Sequence, residues 1–579
     1  MNYVADFETT TNEKDCRVWG WGACNIDDEK EFYMGTTIED FMELCEILET
    51  NALVYLHNLK FDGQFIISWL LNQNYKYVAT SRERATRTFT TLISDKGLYY
   101  AIEVVFWRKG KNIKKVTFWD SAKLIPLSVE EIAEAFKMPI KKLSIDYAAH
   151  NNLPYGSPLN KEEEEYIKND VLIVARAVKS FHDQGLKKMT IGSCALAEYK
   201  KLIGEDCFKR WFPPPKYHND VKQAYKGGYT YLNPKYAGKT VKNGVVLDVN
   251  SIYSHVMKER LMPYGTPVFY KGKYEPDEVY PLYTQMIKCQ FELKPGKLPT
   301  IQIKKSLFNS KIEYLTTSDD EILTLCLNSV DLELFLENYE IYNPEYISGW
   351  KFKAAKGMFD AYIDKWTAIK IKAKEEKNWS LYIIAKLFLN ALYGRFGMNT
   401  KRKTKIPYMD PEGVLHYKDS EETTVDGIYV PVASFVTSYA REYIVRAAQK
   451  IIDAYESGKS NIQYIYSDTD SLHLESEDFS LPEGLEIDPV KLGAFKFESK
   501  FQRAKYLRQK CYIQQSTEDV YNPDPEYNLK VTVAGMPKDC HDAVNFKNFK
   551  IGAFYEGKKK PKLVPGGVIL ENIDFTINP

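Results

Sequence analysis

Residues 462–474 read Ile462-Gln463-Tyr464-Ile465-Tyr466-Ser467-Asp468-Thr469-Asp470-Ser471-Leu472-His473-Leu474. Apolar runs flank a core of turn-forming residues, so the stretch predicts a strand, a tight turn and a second strand, with Asp468 and Asp470 at the tip. A lone D-x-D is expected by chance in a long chain, and an Asx-type turn explains it equally; the full Y-S-D-T-D-S is far rarer. A third carboxylate, Asp248, ends Val245–Asp248 (VVLD), which reads as a buried strand, and opens Asp248-Val249-Asn250-Ser251-Ile252-Tyr253. Between the two, Gly357–Lys377 and Ser380–Tyr393 read as helices joined by a short polar turn, hence an antiparallel hairpin. The second carries Lys386-x-x-x-Asn390-Ala391-Leu392-Tyr393-Gly394, and spacings of four and three put Lys386, Asn390 and Tyr393 on one stripe. A solvated helix face would explain the stripe too. Its neighbours are very apolar, however, and a lysine there calls for an anionic partner such as a triphosphate. Lys370 on the preceding helix is placed to face the same groove.

A second constellation lies near the N-terminus. Asp6 and Glu8 sit two apart on Tyr3–Thr9, which reads as a strand, so both point to one face. Paired carboxylates on an apolar strand are expensive unless a cation offsets their repulsion, and magnesium and manganese take oxygen ligands. A solvent-facing strand edge would carry such a pair as well. Residues 17–24, 31–34 and Ala52–His57 extend the strand reading, and Asp62–Asn74 reads as a helix on which Asp62 also suits an N-cap. Asn160–Asp183 is a strong helix, with Asn160 as N-cap, Glu163 three residues on and acidic residues in the first turn. Tyr166 and Asp170 share one face of it.

The chain has 579 residues, enough for about four domains. Hydrophobic residues are 44% and charged residues 27%, which excludes a largely disordered or fibrous chain. No apolar run approaches a membrane span, and the start MNYVADFETT lacks the regions of a signal peptide, so a cytosolic setting is expected. Nine scattered cysteines, none in a C-x-x-C pair, predict reduced thiols. Lys+Arg and Asp+Glu are equal at 78 each, so a polyanion partner requires segregated charge. The 42 tyrosines suit a surface that grips flat bases, although tyrosines packed in cores explain the number equally. Trp211–Tyr217 (WFPPPKY) reads as a linker. Residues 258–355 and 398–427 read as turn-rich, the latter as a β insertion, Val436–Ala454 as a helix, and Lys558–Lys560 as a basic run that a solvated loop would explain.

Taken together, the order D-x-E, N-x-x-x-D, Y-x-x-x-D resembles the tyrosine-bearing branch of the DEDD 3′–5′ exonucleases. D-x-x-S-I-Y, K-x-x-x-N-A-x-Y-G and Y-S-D-T-D-S resemble motifs A, B and C of family B DNA polymerases. Tyr225-Lys226-Gly227-Gly228, Thr437-Ser438-Tyr439-Ala440-Arg441 and Lys510-Cys511-Tyr512 resemble further elements of that family. With its compact length, the chain resembles the protein-primed branch found in small tailed bacteriophages. The fold this implies is α/β multidomain: an RNase H-like DEDD exonuclease domain (1–186), then a right-hand polymerase. That hand has an α+β palm (187–257 and 428–535), helical fingers (356–395), a small thumb (536–579) and two insertions. Of these, 258–355 is the candidate terminal-protein dock and 396–427 the candidate strand-displacement and processivity element.

The resemblance also implies roles. Asp248 and Asp470 hold metal with Asp468 beside them; Asp6, Glu8, Asp62 and Asp170 hold metal in the nuclease, with Tyr166 and Lys142 as catalytic helpers. The ions are magnesium, or manganese, two per site. Lys370, Lys386, Asn390, Ser251, Tyr253 and Tyr393 bind the incoming deoxynucleotide, Tyr253 excluding a 2′-hydroxyl. Thr9, Asn58, Phe61 and Ser121 bind the frayed single strand, and Tyr225, Gly228, Thr437, Arg441, Lys510 and Tyr512 the primer–template. The implied partners are primer–template and single-stranded DNA, deoxynucleoside triphosphates and a terminal protein serving as primer. A monomer without membrane contact, in the cytoplasm of an infected bacterium, is implied too. Four positions depart from the family pattern: Ser254 for proline, Ala391 for a small hydroxyl residue, Ala122 for leucine and Tyr382 for lysine. The competing readings are an exonuclease whose C-terminal part only holds DNA, a polymerase using nucleic-acid primers, and a replication scaffold; the last predicts scattered carboxylates and no lysine stripe.

Overall fold

The computed structural model describes every residue except 215–216, 305–311, 426, 517–528 and 579. The expected linker 211–217 and the expected segments 187–257, 258–355, 396–427, 428–535 and 536–579 therefore lie partly outside the described residues.

The N-terminal part is built on an eight-stranded sheet. Its order is Phe32–Gly35, Val18–Asn25, Asn2–Thr9, Ala52–Leu56, Asn112–Asp120, Tyr99–Lys109, Thr88–Ile93, Lys76–Tyr77. Asn2–Thr9 runs antiparallel to Val18–Asn25 and parallel to Ala52–Leu56. The Lys161–Asp183 helix starts with the expected capping box of Asn160 and Glu163, and packs on the first two strands of the chain. It lies close because Gly22 has no side chain: a Cβ there would stand 2.7 Å from Ile167. That approach brings Asp170 over Asp6.

The helix expected over Asp62–Asn74 instead runs Leu59–Asn72, with Asn58 in the left-handed region at the N-cap position and no side-chain capping bond. Asp62 is thus no N-cap. It lies inside the first turn, buried, on the side that faces the sheet.

A seven-stranded sheet forms the second layer, in the order Leu529–Val533, Cys511–Ser516, Phe495–Arg508, Thr240–Val249, Ser471–Glu475, Gln463–Asp468, Thr230–Leu232. The 462–474 stretch is the expected hairpin, and the strand ending at Asp248 lies beside it, with Asp248 opposite Ser471. The helical hairpin is Asp360–Glu375 and Trp379–Phe396. The helix expected over Val436–Ala454 is longer, Val430–Glu456, because Pro431 is tolerated in its first turn.

The 258–355 segment is more ordered than its turn signals suggested. Its strands Met262–Lys271, Tyr339–Ala355, Leu282–Leu293 and Leu323–Asn328 form a four-stranded sheet beside the helix Ser329–Asn338. In 396–427 the hairpin Lys405–Met409/Leu415–Asp419 is nested inside the pair Lys401–Arg402/Thr423–Thr424, in keeping with the expected β insertion. Lys558–Lys560 lies on the strand Phe554–Val564 rather than in a loop. Among the described residues, no helix is long and apolar enough to cross a membrane.

Candidate active sites

Asp6 and Glu8 occupy one face of the Asn2–Thr9 strand, with Asp62 from one helix and Asp170 from another above it. Glu8, Asp62 and Asp170 are 6%, 3% and 3% exposed. Burial and the neighbouring Asp170 carboxylate push Asp6 up to about 7. Burial first, then the charge of Asp6, raises Glu8 and Asp62 as well. All four carboxylates therefore meet in one place. The Lys142 ammonium lies on Asp170 and 3.3 Å from the Tyr166 hydroxyl. Burial works against that ammonium, but Asp170 outweighs it and keeps it charged. The Tyr166 hydroxyl also meets that of Tyr147 at 3.1 Å. Tyr147, half-exposed in a loop, had no sequence signal beyond being one more tyrosine.

Among the described residues, no three His, Cys, Asp or Glu side chains converge as the ligands of one metal ion. The cluster nevertheless fits a divalent cation chemically. Its donors are all carboxylate oxygens, they raise one another's pKa, and Asp170 Oδ1 is buried with no hydrogen-bond partner.

On the second sheet the Val249 N–H donates to the Asp470 carbonyl at 2.8 Å, which sets the ends of the two carboxylate-bearing segments side by side. Burial and the adjacent Asp248 push Asp470 up to about 7. Asp468 is engaged elsewhere: it accepts from Lys510 Nζ at 2.7 Å and from the Tyr466 hydroxyl at 3.2 Å. A cavity of about 400 Å³ opens here, lined in part by Asp248, Asp468, Asp470, Glu498, Lys510 and Lys530. Gly228 explains itself geometrically. A Cβ would stand 2.8 Å from the Thr469 side chain at the hairpin tip, and the Thr469 N–H donates to the next carbonyl, Tyr229, at 2.7 Å.

On the Trp379–Phe396 helix Lys386 and Asn390 are exposed and Tyr393 partly so. Lys370 is held below the usual lysine range by burial and then by Lys496, Lys386 and Lys374. The Tyr253 and Tyr393 rings lie 4.0 Å apart, centroid to centroid. Ser251, in the left-handed region, precedes the helix that carries Tyr253. A second residue without a sequence signal is Lys496, 2.8 Å from Asp248 Oδ1. Only the register of the Phe495–Arg508 strand, which sets Lys496 opposite Asp248, reveals it.

Several expected DNA contacts turn inward. Arg441 is 3% exposed; its Nε donates to Asp331 Oδ1 at 3.1 Å and its Nη1 to the Gly227 carbonyl at 2.6 Å. Thr437 donates to the Ala433 carbonyl within its own helix. Ser121 pairs with His57 at 2.9 Å, and Tyr512 stacks on Tyr506. In this structure the polar groups of Arg441, Thr437 and Ser121 are satisfied by partners within the protein, as buried polar groups generally are. Thr9 is buried at its strand end, whereas Asn58 and Lys510 are exposed and Phe61 and Tyr225 partly so. The Ser254 hydroxyl, where the family pattern has proline, donates to the Leu389 carbonyl at 2.6 Å and ties the Tyr253 helix to the Lys386 helix.

The family described as DNA polymerase type B, organellar and viral, matches residues 44–157 and 154–483. The DNA polymerase of Bacillus phage phi29 is 43% identical, over 99% of this chain and 98% of its own. That of Streptococcus phage Cp-1 is 34% identical over the same shares. The structure of phi29 DNA polymerase with primer-template DNA and incoming nucleotide substrates superposes with a TM-score of 0.90 at 42% identity, covering 100% of both chains. The phi29 complex with single-stranded DNA gives 0.90 at 41% over the same coverage.

Proposed function

The chain belongs to the type B DNA polymerases of organelles and viruses, and from that premise we propose that its two carboxylate clusters divide synthesis from proofreading. The observation that carries this reading is the separation itself. Two acidic clusters stand on two different sheets, each with lysine counter-charge, and the second lies within electrostatic reach of Lys370 and Tyr393 on the helical hairpin.

In the synthetic site Asp248 and Asp470 hold divalent metal, magnesium or manganese, two ions per site. When bound, such ions lower the pKa of a primer 3′-hydroxyl and stabilise charge on the transferring phosphoryl group. Lys370 and Lys386 neutralise the triphosphate. The depressed pKa of Lys370 reflects burial first and then the crowding of Lys496, Lys386 and Lys374, and an arriving polyanion relieves that crowding. Tyr253, braced by Tyr393, closes the space beside the sugar and selects deoxynucleotides. Lys510 sits at the primer end.

In the proofreading site Asp6, Glu8, Asp62 and Asp170 hold the metal, Tyr166 orients water, and Lys142 steadies Asp170 and offsets charge on the phosphate under attack. Asn58 and Phe61 guide the frayed end. A second, hydrolytic site supplies discrimination that base selection alone does not reach.

The same reading assigns residues 1–186 to the nuclease, 187–257 and 428–535 to the palm, 356–395 to the fingers and 536–579 to the thumb. Residues 258–355 dock a terminal protein that primes synthesis, and 396–427 serve strand displacement. The protein acts as a monomer in the cytoplasm of an infected bacterium. A 5′-labelled primer annealed to a longer template, incubated with magnesium, tests the reading. It lengthens with deoxynucleotides and shortens without them; shortening alone under both conditions would refute the synthetic assignment. A terminal protein candidate is expected to acquire a covalently bound nucleotide, and no adduct alongside normal primer extension would refute protein priming.

A further inference from the structure

The Lys496 ammonium, 2.8 Å from Asp248, belongs to none of the roles above. It lies on the Phe495–Arg508 strand, directly opposite Asp248 in the antiparallel register, so the two side chains share a face of the sheet by construction. Asp470 stands on the other side of Asp248, and the two carboxylates repel. Glu498, two residues along the same strand, shares the Lys496 face and is 3.7 Å from Lys530. Among its cationic neighbours, Lys496 repels Lys370 most strongly. Lys496 thus sits between the acidic floor of the cavity and the cationic hairpin, on a flexible four-carbon stem, with 40% of its side chain exposed.

An ammonium and a divalent ion do not share one carboxylate oxygen, because like charges at such range repel strongly. We propose that Lys496 is the internal counter-cation of Asp248: it holds that carboxylate while no divalent ion is bound, yields it to the ion, and moves onto the triphosphate that arrives with it. This rests on the assignment of Asp248 and Asp470 as metal-holding residues. Lys496 is therefore a positioning residue in the free enzyme and a substrate contact in the loaded one. It sets how readily the synthetic site takes metal before nucleotide binds.

The test uses the full chain with Asp6→Ala and Glu8→Ala, which silence the other cluster, and Mn²⁺ titration followed by the magnetic-resonance signal of the free ion. Lys496→Met is expected to bind Mn²⁺ about two- to fivefold more tightly, the size of a half-exposed ion pair, and Lys496→Arg to stay near the parent. On a dideoxy-terminated primer–template, nucleotide binding is expected to weaken severalfold in Lys496→Met and to be retained in Lys496→Arg. Unchanged Mn²⁺ affinity in Lys496→Met, or unchanged nucleotide affinity, overturns the proposal. An Asp470→Ala control separates the two levels. If it abolishes Mn²⁺ binding while Lys496→Met changes nothing, only the role of Lys496 fails. If Mn²⁺ binding survives Asp470→Ala, the metal assignment on which it rests fails.

Discussion

In the N-terminal cluster three of four carboxylates are at most 6% exposed, whereas the Asp248 and Asp468 side chains on the second sheet keep 21% and 18% of their surface. Among the described residues the deep cluster pairs with one lysine, on Asp170, and the shallow one with two, on Asp248 and Asp468. Depth and counter-charge run in opposite directions. A buried group of carboxylates lowers its own charge by holding protons, as the raised values of Asp6, Glu8 and Asp62 show. In the open group Asp470 is raised as well, to about 7, but ammonium groups stand on both of its neighbours, Asp248 and Asp468. The deep pocket suits the end of one strand. The open face suits a duplex with a triphosphate beside it.

The sharpest way to break this contrast is to remove the single lysine of the deep cluster. Lys142→Met is expected to slow primer shortening by about a hundredfold or more, the scale of losing one charge-stabilising group, with extension unchanged in a gel assay of both activities. The reciprocal perturbation is Gly228→Ala. Its Cβ would press on Thr469 and shift the hairpin tip. Extension is expected to fall by about a hundredfold, as for a displacement of roughly 1 Å at a reacting centre, and shortening to persist.

Arg441→Met addresses the frame rather than the chemistry. It leaves Asp331 unpaired in a largely buried position, and a loss of about 3–5 kcal/mol in denaturant unfolding is expected, with residual native protein retaining both activities.

The smallest effect concerns protons. Asp6 and Asp470 are both raised to about 7, so below that pH each carboxylate holds a proton that metal must expel. Calorimetry in buffers of different ionisation enthalpy is expected to show proton release on Mn²⁺ binding at pH 6 that fades above about pH 7. The same raised values make the metal-free protein lose stability as pH climbs from about 4, where the unfolded carboxylates ionise, to about 7, with no further loss from these groups above that.

Much of this was legible in the residues. The Asp6–Glu8 pair, the Asn160 cap, the helix face of Tyr166 and Asp170, and the Asp468–Asp470 hairpin are local patterns, and local patterns survive folding. What escaped depends on distant partners. The start of the Asp62 helix was hidden because the helix begins three residues earlier, after Asn58 in an unusual left-handed conformation. Lys496 lies in Phe-Lys-Phe-Glu, an ordinary alternating strand, and its partner Asp248 is remote in sequence. Arg441 and Thr437 carry the polarity of a nucleic-acid contact, yet neighbours on other elements or on the same helix draw them inward. The 258–355 sheet was hidden because its strands are separated by long, turn-rich connections.

The central claim is that one chain keeps two independent acidic sites for opposite reactions. A single labelled primer–template, assayed with magnesium in the presence and absence of deoxynucleotides, tests it with three proteins: unmodified, Asp6→Ala and Asp470→Ala. Asp6→Ala is expected to extend but not shorten, and Asp470→Ala to shorten but not extend. Loss of both activities in either variant, with its fold intact, would contradict the account.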